Sequence, residues 1–290
     1  MELGIAVGID GSAASVCAVR WAAREALSLG VPVRLVHASV PDALTREGLW
    51  QETVQRERGL RLLHDASIGL RDRNPGLCVS RSLITQDATT ALLAAADDAE
   101  LLTLGRRDLG PVERSLLPDT GMQVAARADR PVVFVRADGR KQPHLPDADP
   151  TGVAVGLCLR HPCEELLRFA FRMALQHGTA VRAVHGVSLP AAADALWSSS
   201  PETVEAAAAV AGQGLCEVLR PWRERFPWVR VLDEVAFDSA ARALVSAASR
   251  SGLLVVGHRR ARHFPASPLG PVARAAIRHA ICPVAVVTHD

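Results

Sequence analysis

The second half of the chain repeats the first half. When Gly4 is laid on Gly152, identical residues coincide through the opening apolar run, the next helical segment and the second apolar run. At a slightly larger offset, Gly105 meets Gly257 and Pro131 meets Pro283 near the end of each half. Further matched pairs are Ala6/Ala154, Val7/Val155, Arg20/Arg168, Gly30/Gly178, Arg34/Arg182, His37/His185, Leu101/Leu253 and Val135/Val287. Because the matches reach both ends of each half, the sequence indicates a duplicated domain.

A polar segment separates the two copies. Residues 137–150 contain Gly139 and three prolines but little apolar content, which is typical of a linker. We therefore expect one domain at residues 1–138, a linker at 139–150 and a second domain at 151–290. Each domain is long enough to bury a core of its own.

Composition narrows the class of protein. The 49% of apolar and 22% of charged residues are typical of globular chains, and a net charge of +2 is too small to indicate a nucleic-acid or membrane partner. The six cysteines lack the spacing of a disulfide framework or a zinc site, so we expect small core residues in a reducing compartment. No secretion signal precedes Asp10, and no apolar run approaches the roughly 20 residues of a membrane helix. We expect a cytoplasmic protein without a metal site.

Strand and helix patterns alternate along each copy. Strands are predicted at 4–9, 33–36, 77–84, 101–104 and 131–135 and helices at 15–29, 46–72, 88–98 and 121–128, and the second copy repeats this order with strands at 153–157, 181–184, 229–235, 253–256 and 284–287. The first strand is a continuous apolar run, as expected where both faces of a parallel sheet are covered. The sequence therefore predicts an α/β fold with two tandem, open, mostly parallel five-stranded sheets and helices on both faces.

Ligands of such sheets bind beyond the carboxyl ends of the strands, where the strand order reverses. Short motifs stand at these ends: Ile9-Asp10-Gly11-Ser12 after the first strand of the first copy, His37 and His185 at the end of the second strand, and Gly105 and Gly257 at the end of the fourth. The last strand of each copy begins after Pro131 or Pro283. In this order and spacing, found twice, the chain resembles the universal stress protein family over nearly its whole length. The resemblance implies two Rossmann-like domains.

The resemblance also implies where an adenine nucleotide would bind. ATP-binding members carry Asp after strand one, which contacts adenine together with the main chain after the strand-two His. They also carry G-x2-G-x9-G-[ST] after strand four, where glycine N–H groups and a helix N-terminus hold phosphates. In the first copy the positions that match or replace these residues, and that we take as candidate cofactor-binding residues, are Asp10, Gly11, Ala38, Gly105, Arg107 and Asp119.

The phosphate motif of the first copy departs from the family pattern. Asp108 stands for the second glycine, Pro118 for the third and Asp119 for the Ser or Thr. Two carboxylates would repel a polyphosphate, and proline removes one N–H, so tight triphosphate binding there would need a bridging divalent ion. We expect weak binding of ATP or AMP in the first domain and no required cofactor.

The second copy departs differently. Cys158 stands for Asp10, and Leu159-Arg160 for Gly11-Ser12, so the adenine contact is lost. Gly257 and Gly270 remain as candidate cofactor-binding residues, whereas Arg260 and Pro271 replace the second glycine and the Ser or Thr. The surrounding cationic residues are His258, Arg259, Arg260, Arg262 and His263, and Arg side chains suit phosphate. We expect a degenerate site.

Each of these residues also has a structural interpretation. Asp10 is a common turn or helix-capping residue, and Gly105 and Gly257 allow tight turns. His37 and His185 end buried strands and are predicted to be structural, and the cationic loop of the second copy is also typical of a solvated segment.

Catalysis has little support in the sequence. The motifs G-x4-G-K-[ST], G-x-S-x-G and H-E-x-x-H do not occur, and no nucleophile has an assignable base, so we expect no catalytic residues and no enzyme. We expect a stress-response protein with weak adenine-nucleotide binding in the first domain. The alternatives are a nucleotide-free protein-interaction module and, with least support, an ATP hydrolase. We expect the two domains to pack as an intramolecular pseudo-dimer, with homodimer formation left open.

Overall fold

The computed structural model describes residues 3–39, 46–106, 120–137, 149–187, 201–260 and 268–289. The chain divides into two compact units, residues 1–139 with 260–269 and 290, and residues 140–259 with 270–289. Most of the predicted linker lies outside the described residues, although the first strand of the second copy begins at Asp149, inside it. The boundary at 139–150 stays a prediction.

The first unit alternates strands and helices. Its elements are β1 (Gly4–Gly8), α1 (Ala13–Leu29), β2 (Val33–Ala38), α2 (Arg46–Arg73), β3 (Val79–Ile84), α3 (Ala88–Asp97), β4 (Ala99–Arg106), α4 (Thr120–Arg127) and β5 (Val132–Arg136). The strands pair in parallel in the order β3-β2-β1-β4-β5. The strand order reverses between β1 and β4, which places the expected ligand cleft at the carboxyl ends of these two strands.

The second unit repeats the arrangement. Its elements are β6 (Asp149–Gly156), α5 (Glu164–His177), β7 (Val181–Gly186), α6 (Pro201–Arg225), β8 (Val231–Ala236), α7 (Ala240–Ala248), β9 (Ser251–Arg259), α8 (Pro271–His279) and β10 (Val284–His289). Its strands pair in parallel in the order β8-β7-β6-β9-β10, which corresponds strand for strand to the first unit. The predicted fold of two tandem parallel sheets is confirmed.

The continuous apolar runs form the central strands of the two sheets. They are buried because helices cover both faces of each sheet. Ile5, Ala6 and Val7 of β1 are fully buried, and Val153 and Val155 of β6 are buried to the same degree. Gly30 ends α1 with a left-handed φ of 70°. Its repeat partner Gly178 ends α5 in the same way at 61°. These glycines are helix C-caps. A residue with a side chain would be strained at this left-handed φ.

The cysteines depart from the sequence-based expectation. Cys163 and Cys282 are buried, Cys17 is half-buried, and Cys78, Cys158 and Cys216 are exposed free thiols. The prediction of six core residues is wrong for these last three, because Cys78 precedes β3, Cys158 lies in the loop after β6, and Cys216 lies on the solvent side of α6. Among the described residues, no helix has the length and apolar character needed to cross a membrane.

Candidate functional site

The turn between β1 and α1 is organised by Asp10. Its Oδ1 accepts hydrogen bonds from the N–H of Ser12 at 2.9 Å and from the Ser12 hydroxyl at 2.6 Å. Gly11, between them, has a left-handed φ of 81°. The Ser12 Oγ accepts the Ser15 N–H at 3.2 Å and so caps α1. The predicted turn-and-cap role of this segment is therefore present in the structure, and the Asp10 side chain is exposed at the edge of the sheet.

The N-terminus of α1 carries no acidic residue in its first turn. The partial positive charge at the start of this helix is therefore not offset by a carboxylate within that turn. Such a helix start attracts anions, because its first N–H groups have no partners inside the helix. In the first unit this end of α1 lies at the carboxyl edge of the sheet.

Gly105, at the end of β4, is required by packing. A Cβ at this position would lie 2.4 Å from the backbone carbon of Ala14 and 2.4 Å from the backbone nitrogen of Ser15. Only glycine allows the first turn of α1 to approach β4 this closely. Gly105 is therefore required for the packing of α1 on β4, whereas the predicted tight turn and the predicted contact with a ligand stay predictions.

A histidine joins β2 to the Asp10 turn. The Nδ1 of His37 lies 2.7 Å from the carbonyl oxygen of Ile9, which can only accept, so Nδ1 donates. The Ile9 N–H donates to the Val36 oxygen at 2.8 Å. Ala38 ends β2 beside Ile84 of β3, at the same edge. We call this His37–Ile9 contact the histidine latch.

The structure thus brings together four of the six candidate residues of the first copy: Asp10, Gly11, Ala38 and Gly105, at the ends of the adjacent strands β2, β1 and β4. Arg107 and Asp119 lie outside the described residues, as do Asp108 and Pro118. Their predicted place beside phosphates stays a prediction.

The second copy keeps the latch but changes the turn. The Nδ1 of His185 lies 2.9 Å from the Leu157 oxygen. Cys158, at the position of Asp10, is exposed, and its oxygen accepts the His161 N–H at 3.1 Å. α5 begins only at Glu164, the repeat partner of Val16, so it starts three residues later than α1. Because the latch persists where the turn has changed, it belongs to the fold rather than to a ligand site.

The start of α5 is electrostatically different from that of α1. Glu164 and Glu165 occupy its first turn. The Sγ of Cys163 accepts the Leu166 N–H at 3.4 Å, and burial raises the pKa of this thiol to about 11. The backbone N–H of Glu165 and the Cys163 thiol hold the pKa of the Glu165 carboxyl below its ordinary value. Two carboxylates at this helix start oppose the binding of an anion.

The two candidate glycines of the second copy, Gly257 and Gly270, are not held by backbone contacts. A Cβ on Gly257 would meet the side chains of His289 at 3.1 Å and Leu166 at 3.8 Å, since α5 lacks the turn that presses on Gly105. Gly270 precedes α8 with φ −60°, and a Cβ there would meet nothing within 4 Å. Of the cationic loop, Arg262 and His263 lie outside the described residues. A ligand role for Gly257 and Gly270 stays a prediction.

Sequence reasoning missed one feature of the first unit. A groove of about 400 Å³ runs between α1 and α2, lined by Val16, Val19, Ala23, Leu62, Ala66 and Leu70 among others. Of the candidate residues brought together at the sheet edge, Gly11 lines this groove, whereas Asp10, Ala38 and Gly105 do not. The small residues on the two facing helices were the only signal for it, and such residues also suit close helix packing.

Comparison with known proteins agrees with the repeat and the fold. The sequence model of the universal stress protein family matches residues 4–136 and again 153–288. A universal stress protein of Mycolicibacterium smegmatis is 30% identical over 99% of this chain and 97% of its own length. One from Mycobacterium tuberculosis is 31% identical, over 98% of this chain and 96% of its own.

A solved structure shares the fold over the full length. The crystal structure of a universal stress protein from Archaeoglobus fulgidus covers 99% of this chain and 98% of its own, with a TM-score of 0.68 and 13% identity. The duplicated sheet, the repeated histidine latch and the two family matches lead to one conclusion: this chain belongs to the universal stress protein family, as a tandem member.

Proposed function

We propose that the protein is a non-catalytic stress-response protein whose first domain binds an adenine nucleotide weakly and whose second domain has lost that site. The observation that carries the proposal is the contrast between the two opening turns. In the first copy, Asp10 lies beside a helix start with no acidic residue. In the second copy, Cys158 replaces Asp10, and Glu164 and Glu165 follow it.

The proposed roles follow the family pattern. The Asp10 carboxylate accepts a hydrogen bond from the adenine amino group, and the main chain at Ala38 provides the second adenine contact. The close approach of α1 to Gly105 brings the positive end of the helix dipole toward the bound phosphate. AMP suits this site better than ATP, because Asp108 and Asp119 would repel the distal phosphates.

Calorimetric titration with AMP, ADP and ATP, each with and without magnesium, tests the proposal. We expect binding in the millimolar to high micromolar range, with magnesium improving ATP binding more than AMP binding. Asp10→Ala is expected to weaken AMP binding about tenfold, the effect of losing one hydrogen bond to a charged group. Cys158→Ala, at the matched position, leaves binding unchanged. The absence of binding at millimolar nucleotide rules the proposal out.

A second candidate function is a nucleotide-free module that acts through protein contacts. It is favoured by the sequence changes in both phosphate motifs, where Asp119 and Pro271 replace the family's Ser or Thr. Nucleotide that copurifies with the native protein, detected by mass spectrometry, would contradict this alternative. Phosphate release from ATP that is lost in Asp10→Ala would instead support a hydrolase.

A further inference from the structure

The groove between α1 and α2 is large enough for a small molecule. Its volume of about 400 Å³ lies in the range of small-molecule sites. Val16, Val19 and Ala23 line it from α1, and Leu62 and Leu70 line it from α2. Val16 is 45% exposed, so an apolar surface remains open to solvent on the α1 side.

The second copy fills the equivalent space with aromatic rings. Phe171 stands at the position of Ala23, Trp222 at that of Leu70 and Phe226 at that of Asn74, and all three first-copy residues line the groove. The rings of Phe171 and Trp222 lie 5.5 Å apart, those of Phe171 and Phe226 5.4 Å, and those of Trp222 and Phe226 6.0 Å. Helices α5 and α6 are thereby joined by a three-ring cluster where α1 and α2 leave a groove.

Shared backbone hydrogen bonds fix this correspondence. At the end of α2 the Asn74 N–H donates to the Leu70 oxygen at 3.1 Å, and at the end of α6 the Phe226 N–H donates to the Trp222 oxygen at 2.9 Å. After the first helices, Val31 N–H donates to Ala26 oxygen and Thr179 N–H to Ala174 oxygen, at 3.0 and 2.9 Å. The same structural positions therefore carry rings in one copy and small or polar side chains in the other.

Aromatic packing at this position would stabilise the first unit as it does the second. In the first copy Val19, Ala23 and Leu70 are buried and Leu62 and Ala66 are half-buried, and the exposed apolar side chain of the groove is Val16. A bound apolar group would cover that surface and supply the missing contacts.

The charged side chains around the groove favour an anionic ligand. Arg20 and Arg24, one turn apart on α1, and Arg73 at the end of α2 line it, against the single carboxylate of Asp65. Within the part of the chain that the structure describes, Arg20 and Arg24 have no hydrogen-bond or ion-pair partner. The guanidinium groups of two arginines suit a carboxylate, which accepts paired hydrogen bonds.

We propose that this groove binds a small amphipathic anion, an apolar chain with a carboxylate head. The chain lies along Val16, Val19, Leu62 and Leu70, and the carboxylate binds Arg20 and Arg24. This site borders the proposed nucleotide site, because Gly11 lines the groove, although the groove contains neither Asp10 nor Gly105. It does not depend on nucleotide binding.

Titration calorimetry with decanoate below its micelle concentration tests the proposal on the full chain. We expect one decanoate per chain. The double variant Arg20→Gln with Arg24→Gln is expected to weaken decanoate binding about tenfold and to leave the binding of 1-decanol within twofold. The matched control, Arg168→Gln with Arg172→Gln on α5, is expected to leave both unchanged, because the rings fill that groove.

Two filling variants test the place of binding. Ala23→Phe, which copies the second unit, and Gly69→Leu are each expected to weaken decanoate binding at least tenfold, with AMP binding as a separate readout. Gly69→Leu serves if Ala23→Phe misfolds, because a Cβ at Gly69 would meet only the flexible end of Arg73, at 3.5 Å. Absence of decanoate binding to the wild-type protein would overturn the proposal. Equal binding to the wild type and to folded Gly69→Leu would also overturn it.

Discussion

The two copies have the same strand order, the same glycine helix C-caps and the same histidine contact, but they differ at the start of the first helix. In the first copy that helix begins directly after the Ser12 cap, and Gly105 is pressed against it. In the second, α5 begins three residues later behind Cys163, with Glu164 and Glu165 at its start. A short local change can therefore remove an anion-attracting helix start without changing the order of the strands.

The two copies also differ in the packing of their first helix against their second helix. Here the second copy has the larger side chains, and the first copy has the groove. The second copy has lost its polar opening turn but has gained the cluster of Phe171, Trp222 and Phe226. The first copy keeps both its turn and its open groove. On our account the first unit keeps surfaces for ligands, whereas the second replaces them with packing that stabilises the fold.

The largest expected effect separates the packed from the open helix pair. Phe171→Ala removes a fully buried ring from the cluster and is expected to lower the free energy of unfolding by about 4 kcal/mol. Val16→Ala, on the open side of the groove, is expected to cost less than about 1 kcal/mol. Urea unfolding followed by circular dichroism measures both. Equal costs would show that the two helix pairs are packed alike.

The matched glycines give the next largest effect. Gly105→Ala places a Cβ 2.4 Å from backbone atoms of α1 and is expected to cost about 3 kcal/mol of unfolding free energy. Gly257→Ala meets only side chains, at 3.1 Å and beyond, and is expected to cost less than about 1 kcal/mol. Thermal unfolding of the two variants provides the measurement. A Gly105→Ala variant as stable as the wild type would remove the close approach on which the first site depends.

The caps of α1 and α5 are expected to differ in their response to pH. The buried Cys163 thiol has its pKa raised from 9.0 to about 11, so it ionises more easily in the unfolded chain. Its contribution to stability is therefore complete below pH 9 and is lost as the pH rises toward 11. Cys163→Ser, measured by urea unfolding between pH 8 and 11, is expected to flatten this loss. If Cys163→Ser lost unfolding free energy between pH 8 and 11 as steeply as the wild type, the Cys163 thiol would not be the cause of this loss.

Thiol labelling of the wild-type protein at pH 8 tests independently whether Cys163 is buried. The exposed Cys158 is expected to react with iodoacetamide in the native protein, whereas Cys163 reacts only after unfolding. Mass spectrometry of tryptic peptides distinguishes them. Rapid native labelling of Cys163 would contradict its burial.

The smallest expected effect comes from copying the second helix start into the first. Val16→Glu places a carboxylate on the fourth residue of α1, at the position aligned with Glu164, which is the first residue of α5. It is expected to weaken AMP binding two- to fivefold by opposing the phosphate, while stabilising the helix by about 0.5 kcal/mol. Calorimetry and thermal unfolding measure the two effects. Loss of AMP affinity only together with loss of stability would show a folding defect instead.

Much of the fold could be predicted from the sequence, because its signals are local. Continuous apolar runs predicted the strands, and the helix predicted at 15–29 ends at the same residue as α1. The later start of α5 was not predicted, since Cys163 as a cap is an uncommon signal. The backbone contact of Gly105 and the α1–α2 groove depend on how closely helices approach other elements, which residue periodicity does not encode.

The candidate site was predicted in part. The residues proposed to contact adenine, Asp10 and Ala38, are brought together with Gly105 of the phosphate motif, because each ends or follows a strand of one parallel sheet. The phosphate side, Arg107 and Asp119, remains a prediction from motif spacing. The structural role of His37 was predicted from its place at a strand end, and its hydrogen bond to Ile9 supports it.

The number of AMP molecules bound per chain distinguishes a protein with one nucleotide site from a protein with two or none. Equilibrium dialysis with radiolabelled AMP, at ten times the wild-type Kd, is expected to give about 0.9 AMP per chain for the wild type and for Cys158→Ala. The tenfold weaker binding of Asp10→Ala is expected to give about 0.5 at the same concentration. A value of two, or of zero in the wild type, would contradict the account. So would loss of binding in Cys158→Ala with retention in Asp10→Ala.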